Sequence, residues 1–382
     1  KQLEVVSARS NAIMIFSHNL RLTEGATRVL FDLVSTRTAE DRQRIQLYSL
    51  EREGHVDSET EAKWGHLGIE LEYSKHFDFQ TPTSDDYLKE LELLLHRRSL
   101  PSRIICNTSS CFLGIDFARH SQTEVSSYIH EGCSPEAAMP SLPAWLRARF
   151  FEVFPRSQKN IHVSLTGMEL WNKFFPTIHH QHVPIGVDGG IVSSLEIKRA
   201  GKRALGIDEE AVVILCVGVA SHRKGQDLLL DYFLRLSAHR NSVLIVVGVR
   251  NDDFGKRLKS SIPQGLEQRV LLIGETADVE VYYQAADIFA LLSREESFPR
   301  VTLEAGLYAL PCVLSDLQQF HDQVGVNAVY VTEDSAVNVL SELVESTSKR
   351  SELGLAWNRV VCETYNLKQL SDRTWSYLAE DR

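Results

Sequence analysis

The sequence lacks the features that mark membrane-spanning and nucleic-acid-binding proteins. No run of apolar residues approaches the roughly 20 that an α-helix needs to cross a bilayer, so we expect no transmembrane segment. The formal net charge of −10 is opposite in sign to the basic balance of a general nucleic-acid binder. We therefore expect neither a membrane-spanning protein nor a nucleic-acid partner.

Cysteine is scarce and shows no metal-binding spacing. The six cysteines form no CxxC pair and no zinc-finger pattern. Cys106, Cys216 and Cys312 fall within apolar runs, where buried free thiols are usual. This usage favours a reducing compartment. We expect a cytoplasmic protein, with a peripheral position at the inner face of a membrane as the alternative.

The chain instead contains a long alternation of apolar runs and helical patterns. Its 382 residues, 43% hydrophobic and 24% charged, suit a globular protein with room for two domains. Continuous apolar runs are typical of parallel strands that are buried on both faces. They occur at residues 12–16, 44–50, 102–106, 125–129 and 161–165, then at 212–217, 243–249, 270–273, 287–292, 311–314 and 328–331.

This pattern predicts an α/β fold with two doubly wound domains. Proline and glycine interrupt the alternation between residues 183 and 190, so we place the boundary there. The predicted domains are residues 1–185 and 186–364, followed by an amphipathic helix in residues 365–382.

The segment from Glu296 to Gly306 is the most informative part of the chain. Glu296 and Glu304 lie eight positions apart, and apolar strand-like runs flank them on both sides. The segment therefore predicts strand, loop, helix and strand, and the helix start suits a phosphate. A carboxylate at either end of that phosphate would suit a nucleotide-sugar. Two acids on a solvated helix face are the competing interpretation, and the flanking strand and Pro299 weigh against it.

Arg223 and Lys224 follow the first strand of the second half. They are predicted at the carboxyl end of that strand, where open α/β sheets bind ligands. Arginine can donate forked hydrogen bonds and lysine adds a compact charge, so together they can neutralise a diphosphate. A solvated Lys-Gly turn is the alternative interpretation.

With these residues the chain resembles the retaining family-4 glycosyltransferases. Glu296 and Glu304 match that family's pattern of two glutamates separated by seven residues, and Arg223 and Lys224 match its phosphate contacts. The resemblance covers most of the chain and is strongest over residues 212–315. It implies the GT-B fold, in which two Rossmann-like domains face each other and the C-terminal helix returns to the first. The first domain would then serve the acceptor and the second the donor.

The resemblance also implies roles for individual residues of the second half. Glu296 would lie near the donor sugar hydroxyls, and Glu304 would hold the ribose. Residues 298–299 would face the sugar, 301–302 the diphosphate and 274–275 the base. The implied donor-binding residues of this half are Arg223, Lys224, Gly274, Glu275, Ser297, Phe298, Pro299, Val301, Thr302 and Glu304.

Matches in the first half are fewer. Residues 17–26 look like the family's glycine loop, which implies that Gly25 approaches the donor phosphates. Glu24 stands where many members have glycine, and an acid there would be unfavourable unless it points away. His130 ends another strand and resembles the family's histidine near the reacting sugar, although a lone histidine at a strand end is usually structural. The implied catalytic residues are thus Glu296, His130, Arg223 and Lys224.

The function implied is transfer of a sugar, with retained configuration, from a nucleoside diphosphate-sugar to a hydroxyl of a glycan, lipid-linked or protein acceptor. Uridine is the default base, and surface polysaccharide synthesis the expected setting. No metal or other cofactor is expected, because protein cations would neutralise the phosphates. The alternatives are another GT-B enzyme, such as an epimerase or a glycogen-synthase-like polymerase, and a non-catalytic nucleotide- or glycan-binding module. A dehydrogenase would need a G-x-G-x-x-G motif, which neither half supplies.

Overall fold

The computed structural model describes residues 8–139, 142–189, 194–236, 241–276 and 278–380, which form two compact units. The first unit comprises Lys1–Ile185 together with Leu367–Arg382, and the second comprises Gly186–Asn366. Each unit is built around its own parallel sheet.

The first unit alternates strands and helices. Its strands are β1 (Ala8–Arg9), β2 (Ile13–Ser17), β3 (Ile45–Ser49), β4 (Glu70–Tyr73), β5 (Ser99–Leu100), β6 (Arg103–Asn107), β7 (Glu124–Ile129), β8 (Lys159–His162) and β9 (His179–His182). Its helices before the boundary are α1 (Gly25–Ser35), α2 (Ala39–Gln43), α3 (Ser58–Gly65), α4 (Ser84–Leu95), α5 (Phe112–Ser121), α6 (Ala144–Val153) and α7 (Leu165–Phe174). Short 3-10 turns occur at Ser109–Cys111 and Phe154–Arg156.

Seven of these strands form one parallel sheet within the described residues, in the order β4-β3-β2-β6-β7-β8-β9. The central strands β2 and β6 are buried along their whole length, as expected for apolar strands covered on both faces. Buried aromatic side chains, including Phe112, Phe150 and Trp171, belong to the hydrophobic core of this unit.

The edge strands β4 and β9 were not predicted. His179, His180 and His182 belong to β9, which pairs with β8. An edge strand has one neighbour and keeps part of its surface exposed, so it needs no apolar run. His180 Nδ1 lies 2.8 Å from His162 Nε2, so this imidazole is packed within the sheet edge. In the part of the chain that the structure describes, no three potential ligands are grouped to hold a metal.

The second unit repeats the alternation. Its strands are β10 (Val212–Val217), β11 (Ser242–Val247), β12 (Val270–Ile273), β13 (Ile288–Leu291), β14 (Cys312–Ser315) and β15 (Val329–Val331). Its helices are α8 (Leu195–Ala204), α9 (Gln226–Arg235), α10 (Asp253–Ser260), α11 (Glu280–Ala285), α12 (Arg300–Leu307), α13 (Gln318–Val324), α14 (Ala336–Glu345) and α15 (Thr347–Thr364). Short 3-10 turns occur at His222–Lys224 and Gly325–Asn327. Over the described residues the six strands form one parallel sheet in the order β12-β11-β10-β13-β14-β15.

The last helix, α16 (Leu367–Ala379), belongs to the first unit. It packs against α1 and strands β6, β7 and β8 with Leu370, Trp375 and Leu378 buried. Asp372 Oδ1 lies 2.6 Å from Arg37 Nη2, which ties the helix to the residues after α1. The predicted return of the C-terminal helix to the first domain is confirmed, while residues 381–382 lie outside the described part. None of the described helices combines the length and the apolarity needed to cross a bilayer.

Candidate functional site

The candidate site of the second unit lies where the strand order reverses. From β10 the chain passes first to β11 on one side and later to β13 on the other. The loops that leave the carboxyl ends of β10 and β13 therefore border a crevice, where α/β sheets bind their ligands. The loop after β10 carries Arg223 and Lys224, and the loop after β13 carries Glu296.

Gly225 brings these two loops into contact. Its φ is +69°, in the left-handed region, and an added Cβ would lie 1.9 Å from the carbonyl oxygen of Leu292. No other residue fits this position without moving the backbone. The close approach places Lys224 beside the residues that follow β13.

Lys224 and Glu296 form a buried ion pair. Lys224 Nζ lies 2.5 Å from Glu296 Oε1, which also accepts a hydrogen bond of 2.8 Å from Ser293 Oγ. Arg223 Nη1 lies 3.6 Å from Glu296 Oε2 and donates to the carbonyl oxygen of Glu295. The Glu296 side chain is only 4% exposed, whereas that of Arg223 is 48% exposed. The structure thus brings three predicted catalytic residues together, and Arg223 is the one that solvent reaches most easily.

Arg294 stabilises the loop after β10 that carries Arg223 and Lys224, here called the cationic loop. Sequence reasoning missed this role. Its guanidinium forms two bonds of 2.9 Å to Asp227 and one of 2.6 Å to the carbonyl oxygen of His222. Its backbone N–H donates to the carbonyl oxygen of Arg223. Partial burial would raise the pKa of Asp227, but the hydrogen bonds and charge of Arg294 lower it. Arg294 therefore joins the loop after β13 to the loop after β10 and to the first turn of α9.

Helix α12 begins at Arg300, directly after Pro299, as the segment predicted. The Thr302 hydroxyl donates to the Pro299 carbonyl oxygen at 2.7 Å, and Gln323 Nε2 donates to the same oxygen at 3.1 Å. Trp357 Nε1 donates to the Thr302 carbonyl oxygen at 2.8 Å. Thr302 is fully buried, so any ligand contact in the first turn falls to backbone N–H groups rather than to this hydroxyl.

Glu304 is partly exposed on the same helix and is held from two sides. Arg300 Nε donates to Glu304 Oε1 at 2.8 Å, and the Tyr283 hydroxyl donates to Oε2 at 2.9 Å. Tyr283 lies on α11, 21 positions earlier in the chain, so no local sequence pattern predicts this contact.

The remaining predicted donor residues flank this centre. The centroid of the Phe298 ring lies 6.0 Å from that of the Tyr365 ring. Ser297 and Val301, on either side of Phe298 in the sequence, are half-buried. Gly274 and Glu275 follow β12, which is two strands from β10. Glu275 pairs with Arg250 from the loop after β11, with oxygen–nitrogen distances of 2.9 and 2.7 Å.

In the first unit the strand order reverses between β2 and β6. Gly25 is the first residue of α1, at the end of the loop that follows β2. Glu24 bonds His18 Nε2 at 3.2 Å, and this hydrogen bond lowers the pKa of Glu24 to about 2. The acid is therefore engaged by a side chain of its own loop.

His130 ends β7 and is linked to the start of α1 through Asn107. His130 Nε2 lies 2.9 Å from Asn107 Oδ1, and Asn107 Nδ2 donates to the carbonyl oxygen of Ala26 at 3.4 Å. Because the amide nitrogen faces a carbonyl, its oxygen faces His130 and accepts the Nε2 proton. Burial, assisted by nearby His18, lowers the pKa of His130 to about 3, so the imidazole is neutral at physiological pH. Sequence reasoning missed Asn107, which precedes Thr108 with its positive φ of 81°.

Parts of the chain are similar in sequence to known proteins. The family model of glycosyl transferases group 1 matches residues 198–359, the part that contains Arg223, Lys224, Glu296 and Glu304. The chain is 32% identical over 132 residues to the lipopolysaccharide core biosynthesis mannosyltransferase LpsB of Rhizobium meliloti, covering 33% of this chain and 38% of LpsB. It is 30% identical over 203 residues to the D-inositol 3-phosphate glycosyltransferase of Geodermatophilus obscurus, covering 47% and 44%. The chain thus matches under half the length of these two relatives.

A solved structure resembles nearly the whole chain. The crystal structure of Anabaena Alr3699/HepE in complex with UDP and glucose superposes with a TM-score of 0.77 and 18% identity. It covers 96% of this chain and 98% of that protein. At this identity the likeness establishes the fold, which is GT-B, as the resemblance implied. The match to the glycosyl transferases group 1 family model, over residues 198–359, lies entirely within the second unit.

Proposed function

We propose that the protein is a retaining glycosyltransferase that moves a sugar from a nucleoside diphosphate-sugar to an acceptor hydroxyl. One observation carries the proposal: Arg223, Lys224 and Glu296 meet at the strand reversal of the second unit. Helix α12, which presents Glu304, begins directly after the same loop. Two similar proteins support the proposal, since LpsB is a mannosyltransferase and the HepE structure holds UDP and glucose.

In this proposal the diphosphate is held by positive charge and by backbone donors. Arg223 offers a half-exposed guanidinium, and Lys224 shares its ammonium between Glu296 and a phosphate oxygen. The first turn of α12 adds N–H groups and the positive end of its dipole. Preorganised donors of this kind stabilise the charge that develops on the departing diphosphate.

The rest of the donor is assigned to the neighbouring residues. Glu296 and the backbone at Phe298 and Pro299 would contact the sugar. Glu304 would hold the ribose, and the loop at residues 274–275 would line the base. We take the base to be uracil, by analogy with the UDP in the HepE complex.

We assign His130 and Gly25 of the first unit to substrate contact. Because burial keeps His130 neutral, it would serve a sugar hydroxyl as a hydrogen-bond partner and not as a cation. Gly25 lies at the start of α1, where an anion is favoured.

The reaction we propose breaks the bond between the sugar anomeric carbon and the diphosphate oxygen. The acceptor oxygen attacks from the same face, forms the new glycosidic bond and passes its proton to the leaving phosphate oxygen. Arg223 and Lys224 neutralise the diphosphate as it leaves. This front-face route retains the configuration and needs no protein nucleophile.

The acceptor that we propose is a glycan hydroxyl of a surface polysaccharide or glycoconjugate. Lipopolysaccharide core synthesis, in which LpsB is named, is the model for this assignment. A lipid-linked glycan would place the reaction at the inner face of a membrane, in the cytoplasm.

The test is sugar transfer and donor hydrolysis measured over a panel of nucleoside diphosphate-sugars. Arg223→Ala should lower turnover about 10²–10³-fold, while Arg235→Ala, at an exposed arginine of α9, should not. Mass and linkage analysis of the product separates transfer from epimerisation and polymerisation. Tight donor binding without turnover would instead identify a non-catalytic binding module. Equal activity of Arg223→Ala and wild type would contradict the site.

A further inference from the structure

From the residues that the structure describes, Glu304 receives one hydrogen bond on each carboxylate oxygen. The hydroxyl of Tyr283 donates to Oε2 at 2.9 Å, and Arg300 Nε donates to Oε1 at 2.8 Å. A carboxylate oxygen can accept about two hydrogen bonds, so each oxygen keeps capacity for a second donor. The Glu304 side chain is 24% exposed, so a ligand can reach it. Two oxygens held at fixed positions match two neighbouring hydroxyl groups.

Tyr283 is the more rigid of the two donors. Its ring is buried and lies nearly parallel to that of Tyr308, with centroids 5.3 Å apart and an interplanar angle of 9°. The Tyr283 ring also stacks with that of Phe289, with centroids 6.3 Å apart and an interplanar angle of 25°. Arg300, in contrast, has a long side chain with many rotamers and sits at the first position of its helix.

Helix α11, which carries Tyr283, is itself locked in place. A Cβ at Gly201 of α8 would lie 2.8 Å from the backbone nitrogen of Ala285, so only glycine allows this close packing. Two residues after the end of α11, Asp287 forms an ion pair with α8, with Oδ2 2.8 Å from Lys202 Nζ. The tyrosine hydroxyl therefore has a defined position relative to the sheet.

We infer that Tyr283 is a positioning residue that aims Glu304 at the two ribose hydroxyls of the donor nucleotide. The inference rests on the proposed function, because it requires a nucleoside diphosphate at the start of α12. It predicts that the intact Tyr283–Glu304 contact makes the protein discriminate against 2′-deoxyribose. Tyr283 acts through Glu304 and does not contact the substrate.

The experiment compares the dissociation constants of UDP and 2′-deoxy-UDP by calorimetry. Wild type should bind UDP at least about tenfold more tightly, because the deoxy compound leaves a Glu304 oxygen without its partner. Tyr283→Phe should weaken UDP binding and leave 2′-deoxy-UDP binding nearly unchanged, so that the ratio falls at least about fivefold. Tyr308→Phe removes a hydroxyl from the stacked neighbour and should keep the wild-type ratio.

A second variant keeps the test decisive if Tyr283→Phe does not fold. Arg300→Leu at the helix start should retain most of the discrimination, because Tyr283 still holds Glu304. The inference about Tyr283 would be overturned if Arg300→Leu lost the preference for UDP over 2′-deoxy-UDP, or if folded Tyr283→Phe kept it in full. Either result would leave the proposed function standing. A wild type that binds both nucleotides equally would overturn the ribose assignment of Glu304 as well. A wild type that binds no nucleoside diphosphate would overturn the proposed function and the inference with it.

Discussion

Arg294, in the loop after β13, forms paired bonds of 2.9 Å each to Asp227, which lies 67 positions earlier in the first turn of α9. The pair lies at the surface, with 32% and 38% of the side chains exposed, so its contribution to the free energy of unfolding should be small, at about 0–1 kcal/mol. Its importance lies in geometry, because Arg294 also binds the backbone on either side of Arg223.

We predict that Asp227→Asn will weaken UDP binding about three- to tenfold while the melting temperature changes little. A weaker contact with Arg294 lets the cationic loop adopt other positions. The apparent dissociation constant for UDP then rises, because a smaller fraction of the protein has the loop in the position that binds UDP. Calorimetric titration with UDP checks the prediction. Asp231→Asn, which removes an exposed partner of Arg235 on the same helix, is the matched control. A large loss of stability with unchanged UDP affinity would assign the pair to folding alone.

The buried ion pair predicts coupling between Lys224 and Glu296. Lys224→Met removes the nearer of the two cations beside the buried Glu296 carboxylate, which should lower the free energy of unfolding by up to about 3–5 kcal/mol. Adding Glu296→Gln removes that charge and should restore much of the stability, while activity stays low because the phosphate cation is still missing. Urea denaturation of both single variants and the double variant measures this coupling. Strictly additive losses would show that the two side chains do not interact.

Gly225 and Gly206 have nearly the same backbone φ, so alanine variants of the two can distinguish the cost of left-handed backbone from that of a steric clash. Gly225 has φ +69° with the Leu292 carbonyl oxygen in the path of a Cβ, whereas Gly206 has φ +68° and open space. We expect Gly206→Ala to cost about 1–2 kcal/mol of stability, the ordinary penalty of left-handed backbone. Gly225→Ala should cost clearly more and should also abolish UDP binding. Equal stability losses at the two positions would mean that the loops after β10 and β13 are not in contact.

His130 predicts a pH dependence of stability. Its pKa is lowered from 6.5 to about 3 in the folded protein, so the unfolded chain takes up a proton there first as the pH falls. The contribution is therefore fully present above pH 6.5 and is lost progressively as the pH falls towards 3. His130→Gln should flatten the decrease in stability between pH 7 and pH 5, measured by urea denaturation. His162, whose pKa burial also lowers to about 3, is present in both proteins and cancels in the comparison. An unchanged slope would show that His130 is not held neutral.

Asn107→Asp should raise the lowered pKa of His130. A carboxylate beside His130 Nε2 favours the charged imidazole and raises its pKa. Nuclear magnetic resonance titration of the imidazole should then find the His130 transition at a higher pH than in wild type. A transition that stays at its original pH would exclude the hydrogen bond.

The sheets could be predicted from the sequence because their central strands are continuous apolar runs. β10 and β13 sit between neighbouring strands and are almost entirely buried, so their residues must be apolar. β9 has a polar sequence at a sheet edge, and its burial requirement is too weak to leave a pattern. The predicted strand at residues 161–165 shows the usual boundary error, since β8 ends at His162 and α7 begins at Leu165.

Some features of the candidate site could likewise be predicted from the sequence, and others could not. The helix start after Pro299 could be predicted because proline, strand and helix signals follow one another locally. The contacts Arg294–Asp227, Tyr283–Glu304 and Asn107–His130 could not, because each joins residues that the fold alone brings together. Such pairs leave no periodicity in a single sequence.

The most direct test of the central claim is the affinity of the protein for UDP, compared with that for UMP, in wild type and in Arg223→Ala. A diphosphate held by Arg223, Lys224 and the start of α12 predicts that wild type binds UDP at least about tenfold more tightly than UMP. Arg223→Ala should remove most of that difference and leave UMP binding nearly unchanged. Equal affinity of wild type for the two nucleotides, or an Arg223→Ala variant that keeps the full preference, would contradict the account.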